Sequence, residues 1–192
     1  MTDTLRQLLT GLRALVLFTV LLGIAYPVVV WGVGQAALSS QANGSLIVRD
    51  GTVVGSTSLG QTFEGDEWFV SRTSAGDYDA QASGGSNLGP SDSELVAGIE
   101  KSRIDIARRD GVSPAAVPPD AVTASASGLD PNISPAYAAI QIDRVARARG
   151  LSAQQVGELV AAHTKGRVLG FLGEPRVNVL ELNLALASTP TS

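Results

Sequence analysis

"ALVLFTVLLGIAYPVVVWGVGQAAL", Ala14 to Leu38, carries no charged residue. As a helix, its dense part, residues 14–34, rises roughly 31 Å, about the hydrocarbon thickness of a bilayer. Leu, Ile, Val and Phe dominate it and favour insertion by roughly 5 kcal/mol before the cost of Gly and Pro. Pro27 lies mid-span. It lacks an N–H and crowds the carbonyl four residues back, so a kink is expected. Trp31 stands near the far end, where an amphipathic ring suits a membrane interface. Two readings compete with a membrane span. A buried soluble helix rarely runs this long without a polar position. A cleaved signal peptide, with Ser40-Gln41-Ala42 as its small-x-small site, normally has a shorter apolar core.

Charge gives the expected orientation. Arg6 and Arg13 precede the span, against Asp3 alone, and no charge follows it until Arg49. Positive flanks stay in the cytoplasm. The expected organisation is a short cytoplasmic tail over residues 1–13, a transmembrane helix over 14–34 and an extracytoplasmic domain over 35–192. Of the chain's 18 acidic residues only Asp3 falls before that domain, and of its 14 basic residues only Arg6 and Arg13 do, so the domain is mildly acidic. A sequence pI near 4.9 argues against nucleic-acid binding. The absence of cysteine excludes a disulfide scaffold, Cys-based zinc sites and a Cys nucleophile.

Beyond the span the chain mixes strand and helix signals. "LIVRDGTVVGS" reads as a β-hairpin turning at Asp50-Gly51. Residues 76–90, "GDYDAQASGGSNLGP", form a long loop with no helical period. Ser91-x-x-Glu94 has capping-box spacing and opens a helix to about Asp110, stopped by Gly111, with Leu95, Ile99 and Ile106 on one face. Ser134 caps and Pro135 begins a helix to Arg149, stopped by Gly150. Ser152-x-x-Gln155 caps another, which Gly166 ends. In "EPRVNVLELNLAL", alternating leucines favour a strand and Asn178-x-x-Glu181 a helix start, and so short a run leaves both open. The expected fold class is α+β: one N-terminal transmembrane helix followed by a single mixed extracytoplasmic domain.

Reactive sets are sparse. The loop Ser83, Gly84, Gly85, Ser86, Asn87 could turn backbone N–H groups toward an anion, but it lacks the Lys of a P-loop. A plain surface turn or protein-contact loop is the competing reading. Arg144, Arg147 and Arg149 lead into a helix–Gly–helix pattern like a DNA reader, but DNA does not lie on that side of the membrane, so a solvated face or docking patch is expected. His163 stands without Cys or a second His and reads as a helix-end residue. Asp77, Asp79 and Asp92 lack calcium-loop spacing. Ser125 and Ser127 lack the nucleophile-elbow pattern.

"GSTSLGQTF", "WFVSRTSA", "SGGSNLGPS", "VTASASGLDPNISPAYAAIQIDRVARARGL" and "GEPRVNVLELNLAL" occur in that order after the single span. Together they resemble the C subunit of the Kdp-type potassium-transporting ATPase across nearly the whole chain. Departures are small: Thr73 stands where the family usually has Pro, and Asp92 where it often has Asn.

The resemblance implies a non-catalytic accessory subunit of a potassium uptake complex in the cell membrane of a bacterium or archaeon. Its partners would be a P-type pump subunit that hydrolyses ATP, a channel-like potassium-binding subunit and a small membrane subunit. The family's C subunit has been described as a catalytic chaperone that raises the pump's ATP affinity, which makes ATP a candidate ligand at Ser83–Asn87. Potassium would be the transported ion. An outer domain cannot touch cytoplasmic ATP in the assembled pump, so a docking role is expected instead. Gly128, Leu129, Asp130, Pro131 and Asn132, a rigid turn with local Asp and Asn bonds, and Arg144 are the expected docking residues. A membrane-anchored sensor or solute-binding module is the alternative.

Overall fold

The computed structural model describes residues 2–190. The outer limits of the expected end segments, Met1 and Ser192, lie outside the described residues, as does Thr191. The chain divides into two units, one up to Leu46 and one from Ile47.

The first unit is an apolar helix over Asp3–Ala37, long and apolar enough to cross a membrane, with a mean hydropathy of 2.3 over its best window. It comprises α1 (Asp3–Val20), a π-helical turn (Leu21–Ala25) and α2 (Tyr26–Ala37). The π-turn sits immediately before Pro27. The Tyr26 N–H reaches back five residues to the Leu21 carbonyl, so the ladder widens where proline removes a donor. The expected irregularity is therefore a π-bulge in a helix that continues to Ala37. A one-turn helix, α3 (Ser39–Ala42), follows. The Gln35 and Asn43 side-chain amides hold it by exchanging two hydrogen bonds, at 3.3 and 3.1 Å.

The second unit mixes helix and sheet. Strands β1 (Leu46–Arg49) and β2 (Thr52–Ser56) pair through a turn with φ of 50° at Asp50 and 78° at Gly51, as a type I′ hairpin requires. Residues 57–92 contain turns but no regular element. Then come α4 (Ser93–Asp110), a 3₁₀ turn (Pro114–Ala116), α5 (Pro119–Val122), β3 (Asn132–Ile133), α6 (Pro135–Arg149), α7 (Ala153–Ala162), β4 (Thr164–Lys165), β5 (Arg176–Asn178) and α8 (Val179–Ala187). The small antiparallel sheet has the order β3-β5-β4, with Ile133 opposite Val177 and Thr164 opposite Val177.

Three local expectations shift. The cap of α4 is Asp92, whose carboxylate accepts from the Glu94 N–H at 2.8 Å. A charged acceptor at the N-terminus outcompetes the Ser91 hydroxyl. Helix α7 stops at Ala162, before the expected Gly166, because residues 164–165 pair as β4 against β5. The tail is strand and then helix: Val177 and Asn178 complete β5, and the Asn178 side chain caps α8 by accepting from Glu181 N–H at 3.1 Å.

The core is built from Phe69, Tyr137, Val145, Val156, Val177, Leu182 and Leu186, all at most 1% exposed. Burying each such side chain stabilises the fold by about 1.5–3 kcal/mol before conformational entropy is set against it. Phe69 belongs to no strand. Its N–H donates to Asn183 Oδ1 at 2.9 Å, and its carbonyl accepts from Asn183 Nδ2 at 2.8 Å. Gln141 does the same for Val70, at 2.8 and 3.2 Å. Two buried side-chain amides thus satisfy an extended segment whose backbone would otherwise be orphaned.

Candidate functional site

The turn residues expected to dock a partner lie where four stretches of chain meet. The Gly128 carbonyl accepts from Ser74 Oγ at 2.7 Å, the Leu129 carbonyl from the Gly60 N–H at 2.8 Å, and the Pro131 carbonyl from the Val179 N–H at 3.0 Å. Asp130 Oδ1 accepts from the Asn132 N–H and Nδ2 at 2.9 and 3.1 Å. Its other oxygen pairs with Arg72 at 3.2 Å, and Arg72 also donates to the Thr123 carbonyl at 2.9 Å. A β-carbon on Gly60 would fall 2.7 Å from the Asp130 carbonyl oxygen, and one on Gly128, at φ +69°, 2.8 Å from the Gly84 carbonyl oxygen. Both glycines are therefore required by close approach. Arg72, Asp120, Asp130, Asn132, Ser134 and Arg176 line a cleft of about 450 Å³ beside this knot. Leu129, Asp130, Pro131 and Asn132 remain half-buried, with part of each at the surface.

Arg144 lies elsewhere. It is 4% exposed and bonds the Asp110 carboxylate at 2.7 Å, the Asp66 and Trp68 carbonyls at 2.6 and 3.0 Å, and Gln141 Oε1 at 3.0 Å. Four of its five N–H donors are committed inside the fold, so the expected docking role for Arg144 is corrected to an internal one. Arg149 is also used internally, stacked 4.8 Å from the Trp68 ring and bonded to the Leu186 carbonyl at 2.9 Å. Arg147 is exposed.

Around Asp110, Arg109 adds a second guanidinium at 2.6 Å and donates to the Tyr137 hydroxyl at 3.2 Å. Burial works against the Arg109 charge, but the Asp110 carboxylate outweighs it and holds the guanidinium protonated more firmly than usual. Burial is also the main reason the Tyr137 hydroxyl sits above its ordinary value of 10.0, with the arginines pulling the other way. Tyr78 is likewise raised by burial; its hydroxyl donates to the Arg72 carbonyl.

The loop considered for phosphate packs against the Ser125–Gly128 turn. The Gly84 N–H and Ser83 Oγ both donate to the Ser127 carbonyl, at 2.9 and 3.1 Å. Two donors that an anion cradle needs are thereby committed. Gly85, Ser86 and Asn87 line a cleft of about 350 Å³ with Leu95, Ile99 and residues 123–126. Asn87 holds φ +56°.

His163 follows α7 and places Nδ1 2.8 Å from the Leu159 carbonyl, a contact of the kind expected at a helix end. Sequence reasoning did not single out Arg72, Asp110, Gln141 or Asn183. Each has a deciding partner 34 or more positions away, a separation no local pattern encodes.

The family described as KdpC, K+-transporting ATPase, c chain, matches residues 8–188. The chain is 54% identical over 190 residues to the potassium-transporting ATPase KdpC subunit of Kineococcus radiotolerans, covering 98% of this chain and 96% of that protein. It belongs to the KdpC family. The KdpC subunit of Mycobacterium tuberculosis is 53% identical over 94% of this chain and 97% of its own length. That of Paraburkholderia phytofirmans is 55% identical over 88% and 89%. The match spans the apolar helix and the second unit alike, so both are features of one family architecture.

Proposed function

We propose that this KdpC-family chain is a non-catalytic accessory subunit of an ATP-driven potassium uptake complex in the cell membrane. The apolar helix spans the bilayer with its arginine-bearing end in the cytoplasm. The second unit lies outside and docks on the channel-like, potassium-carrying subunit beside the ion entrance. Any effect on nucleotide affinity of the pump subunit passes through the membrane helices as a coupling free energy.

The observation that carries this reading is the family match over residues 8–188, which joins an anchor and a globular unit in one chain of a potassium-transporting ATPase. The hydrogen-bonded knot at Gly128–Asn132 supports it: a turn tied at each end to other segments presents a pre-ordered surface, which lowers the entropy cost of association. The test is isolation of the complex in mild detergent, with and without residues 45–192. The reading expects the full chain to copurify with the pump and channel-like subunits, and the truncation to lose assembly or potassium affinity. Unchanged assembly and uptake would contradict it.

A second reading, direct ATP binding at Ser83–Asn87, is favoured by the 350 Å³ cleft under that loop. A β-carbon at Gly84 meets nothing within 4 Å, which leaves room for a side chain there, and Gly84→Val tests the loop. Loss of ATP protection against proteolysis in a folded Gly84→Val variant supports the second reading; protection equal to wild type removes the loop from it.

A further inference from the structure

The cleft beside the Gly128–Asn132 knot contains one charge that this chain leaves unanswered. Arg176, on β5, is part-exposed and lines that cleft. Among the described residues it has no hydrogen-bond or ion-pair partner, whereas the other arginines withdrawn from solvent, Arg72, Arg103, Arg109, Arg144 and Arg149, each have one. Its register adds a cost. Arg176 stands directly opposite Lys165 across β4 and β5, and like charges so placed are destabilising. Lys165 finds relief in Glu181 at 2.6 Å. Arg176 finds none, although three carboxylates share its cleft. Asp130 is held by Arg72 at 3.2 Å. Asp120 accepts from the Ser134 N–H and hydroxyl at 2.9 and 2.8 Å. Glu174 pairs with Arg167 at 2.6 Å across the base of a hairpin over residues 167–174. Each carboxylate is thus engaged elsewhere, and the Arg176 guanidinium still lacks an acceptor.

We infer that Arg176 receives a carboxylate from an outer loop of another subunit, an aspartate or glutamate side chain that enters this cleft when the complex assembles; the inference rests on the accessory-subunit reading above. Charge complementarity selects the group. The guanidinium fork matches a planar carboxylate bidentately. A group with two or more negative charges suits the cleft less, because the Asp120 carboxylate faces the same space with only neutral donors on it. The position of the cleft selects the source. Asp130 and Asn132 of the part-exposed turn line it together with Arg176, so a loop docked on that turn brings its side chains to the guanidinium. A free monoanion would have to overcome the full entropy cost of association with one ion pair in a cleft open to water. A side chain on a docked loop shares that cost with the rest of the interface.

The experiment uses the complete transporter in mild detergent. The tagged full chain is isolated, and the pump and channel-like subunits retained with it are measured. Arg176→Glu is expected to lower that recovery about tenfold or more. Arg147→Glu, the same charge change at an exposed position of α6, should leave it at the wild-type level. Arg176→Lys should restore only part, because an ammonium cannot make the paired contact. Thermal unfolding of the full Arg176→Gln chain should come no lower than wild type, since the repulsion from Lys165 is relieved. Changing the acidic residues in the outer loops of the partner subunits to Arg, one at a time, should then reveal one that restores recovery with Arg176→Glu. Wild-type recovery of Arg176→Glu, an equal loss with Arg147→Glu, a lower unfolding midpoint for Arg176→Gln, or no restoring change overturns the inference and leaves the accessory reading intact. In a second arm, acetate or inorganic phosphate is added to the full chain at matched ionic strength. Each should shift the unfolding of wild type and Arg176→Gln equally; a shift in wild type alone would assign the site to a free anion and overturn the inference. If the wild-type chain itself fails to copurify with the ATPase subunits, both readings fall.

Discussion

The Gly128–Asn132 turn and the Arg167–Glu174 hairpin are both tight and glycine-containing, yet they use their side chains in opposite ways. The first spends its polar groups inward on Arg72, Ser74, Gly60 and Val179. The second satisfies its backbone within itself and turns Leu169 and Phe171 to solvent. Sequence chemistry draws attention to the first, because turn and cap residues are conspicuous there. The structure ties that region to the rest of the unit while Leu129 to Asn132 stay part-exposed, and at the second it leaves an apolar surface open to solvent.

The comparison can be broken by substitution. The largest effect is expected in the buried network around Asp110. Arg144→Ala removes one of the two guanidiniums on the buried Asp110 carboxylate and leaves the Asp66 and Trp68 carbonyls without that donor, for an expected cost of about 3 kcal/mol. Denaturant unfolding of the full chain in detergent should show that loss. A change under 1 kcal/mol would mean that Arg144 is not the internal clamp described here. Gly128→Ala comes next. It forces a β-carbon at φ +69° to within 2.8 Å of the Gly84 carbonyl oxygen, for an expected cost of about 1–3 kcal/mol. Protease nicking within residues 76–90 should rise with it. Undiminished protection of that loop would show that the turn and the loop are not coupled.

The third effect is pH-dependent. Tyr137 in the folded chain keeps its proton above the ordinary value of 10.0, because burial opposes the phenolate. The unfolded chain releases that proton first. Stability from this group is therefore complete below about pH 10 and declines as pH rises from there through the raised folded value. Tyr137→Phe should flatten the alkaline decline relative to wild type, with Tyr78, raised for the same reason, supplying what remains. An identical alkaline slope in both proteins would contradict the assignment. The smallest effect belongs to the hairpin. Leu169→Ser and Phe171→Ser should leave the unfolding midpoint within about 0.5 kcal/mol of wild type, as exposed substitutions do. A larger loss would show that the tip packs against the unit and is not displayed.

Much of the architecture was legible because its signals are local. Whereas the tail at Asn178 stayed open between strand and helix, the uncharged run, the Asp50-Gly51 hairpin and the Ser134 and Ser152 caps each depend on residues within a few positions. The ends of α4 and α6 at Gly111 and Gly150 do too, both being left-handed in the structure. Features that depend on distant partners were not legible. Helix α7 stops early because β4 pairs with β5 across the chain. Only the fold brings Gln141 and Asn183 to Val70 and Phe69. Arg144 looked like part of a surface basic cluster, although Asp110, its buried counterion, is 34 positions earlier. The Val168–Leu172 run carried a visible sign, an apolar stretch around a glycine, but sequence alone does not reveal whether such a stretch points inward or outward.

The central claim is an anchored subunit whose second unit lies beyond the membrane. The chain has no cysteine, so Glu158→Cys on the exposed face of α7 creates a single thiol to report its side. In intact cells expressing the complete transporter, a membrane-impermeant maleimide is predicted to label that position as fully as it does after lysis. Labelling that appears only once the membrane is opened would place the unit inside the cell and contradict the account.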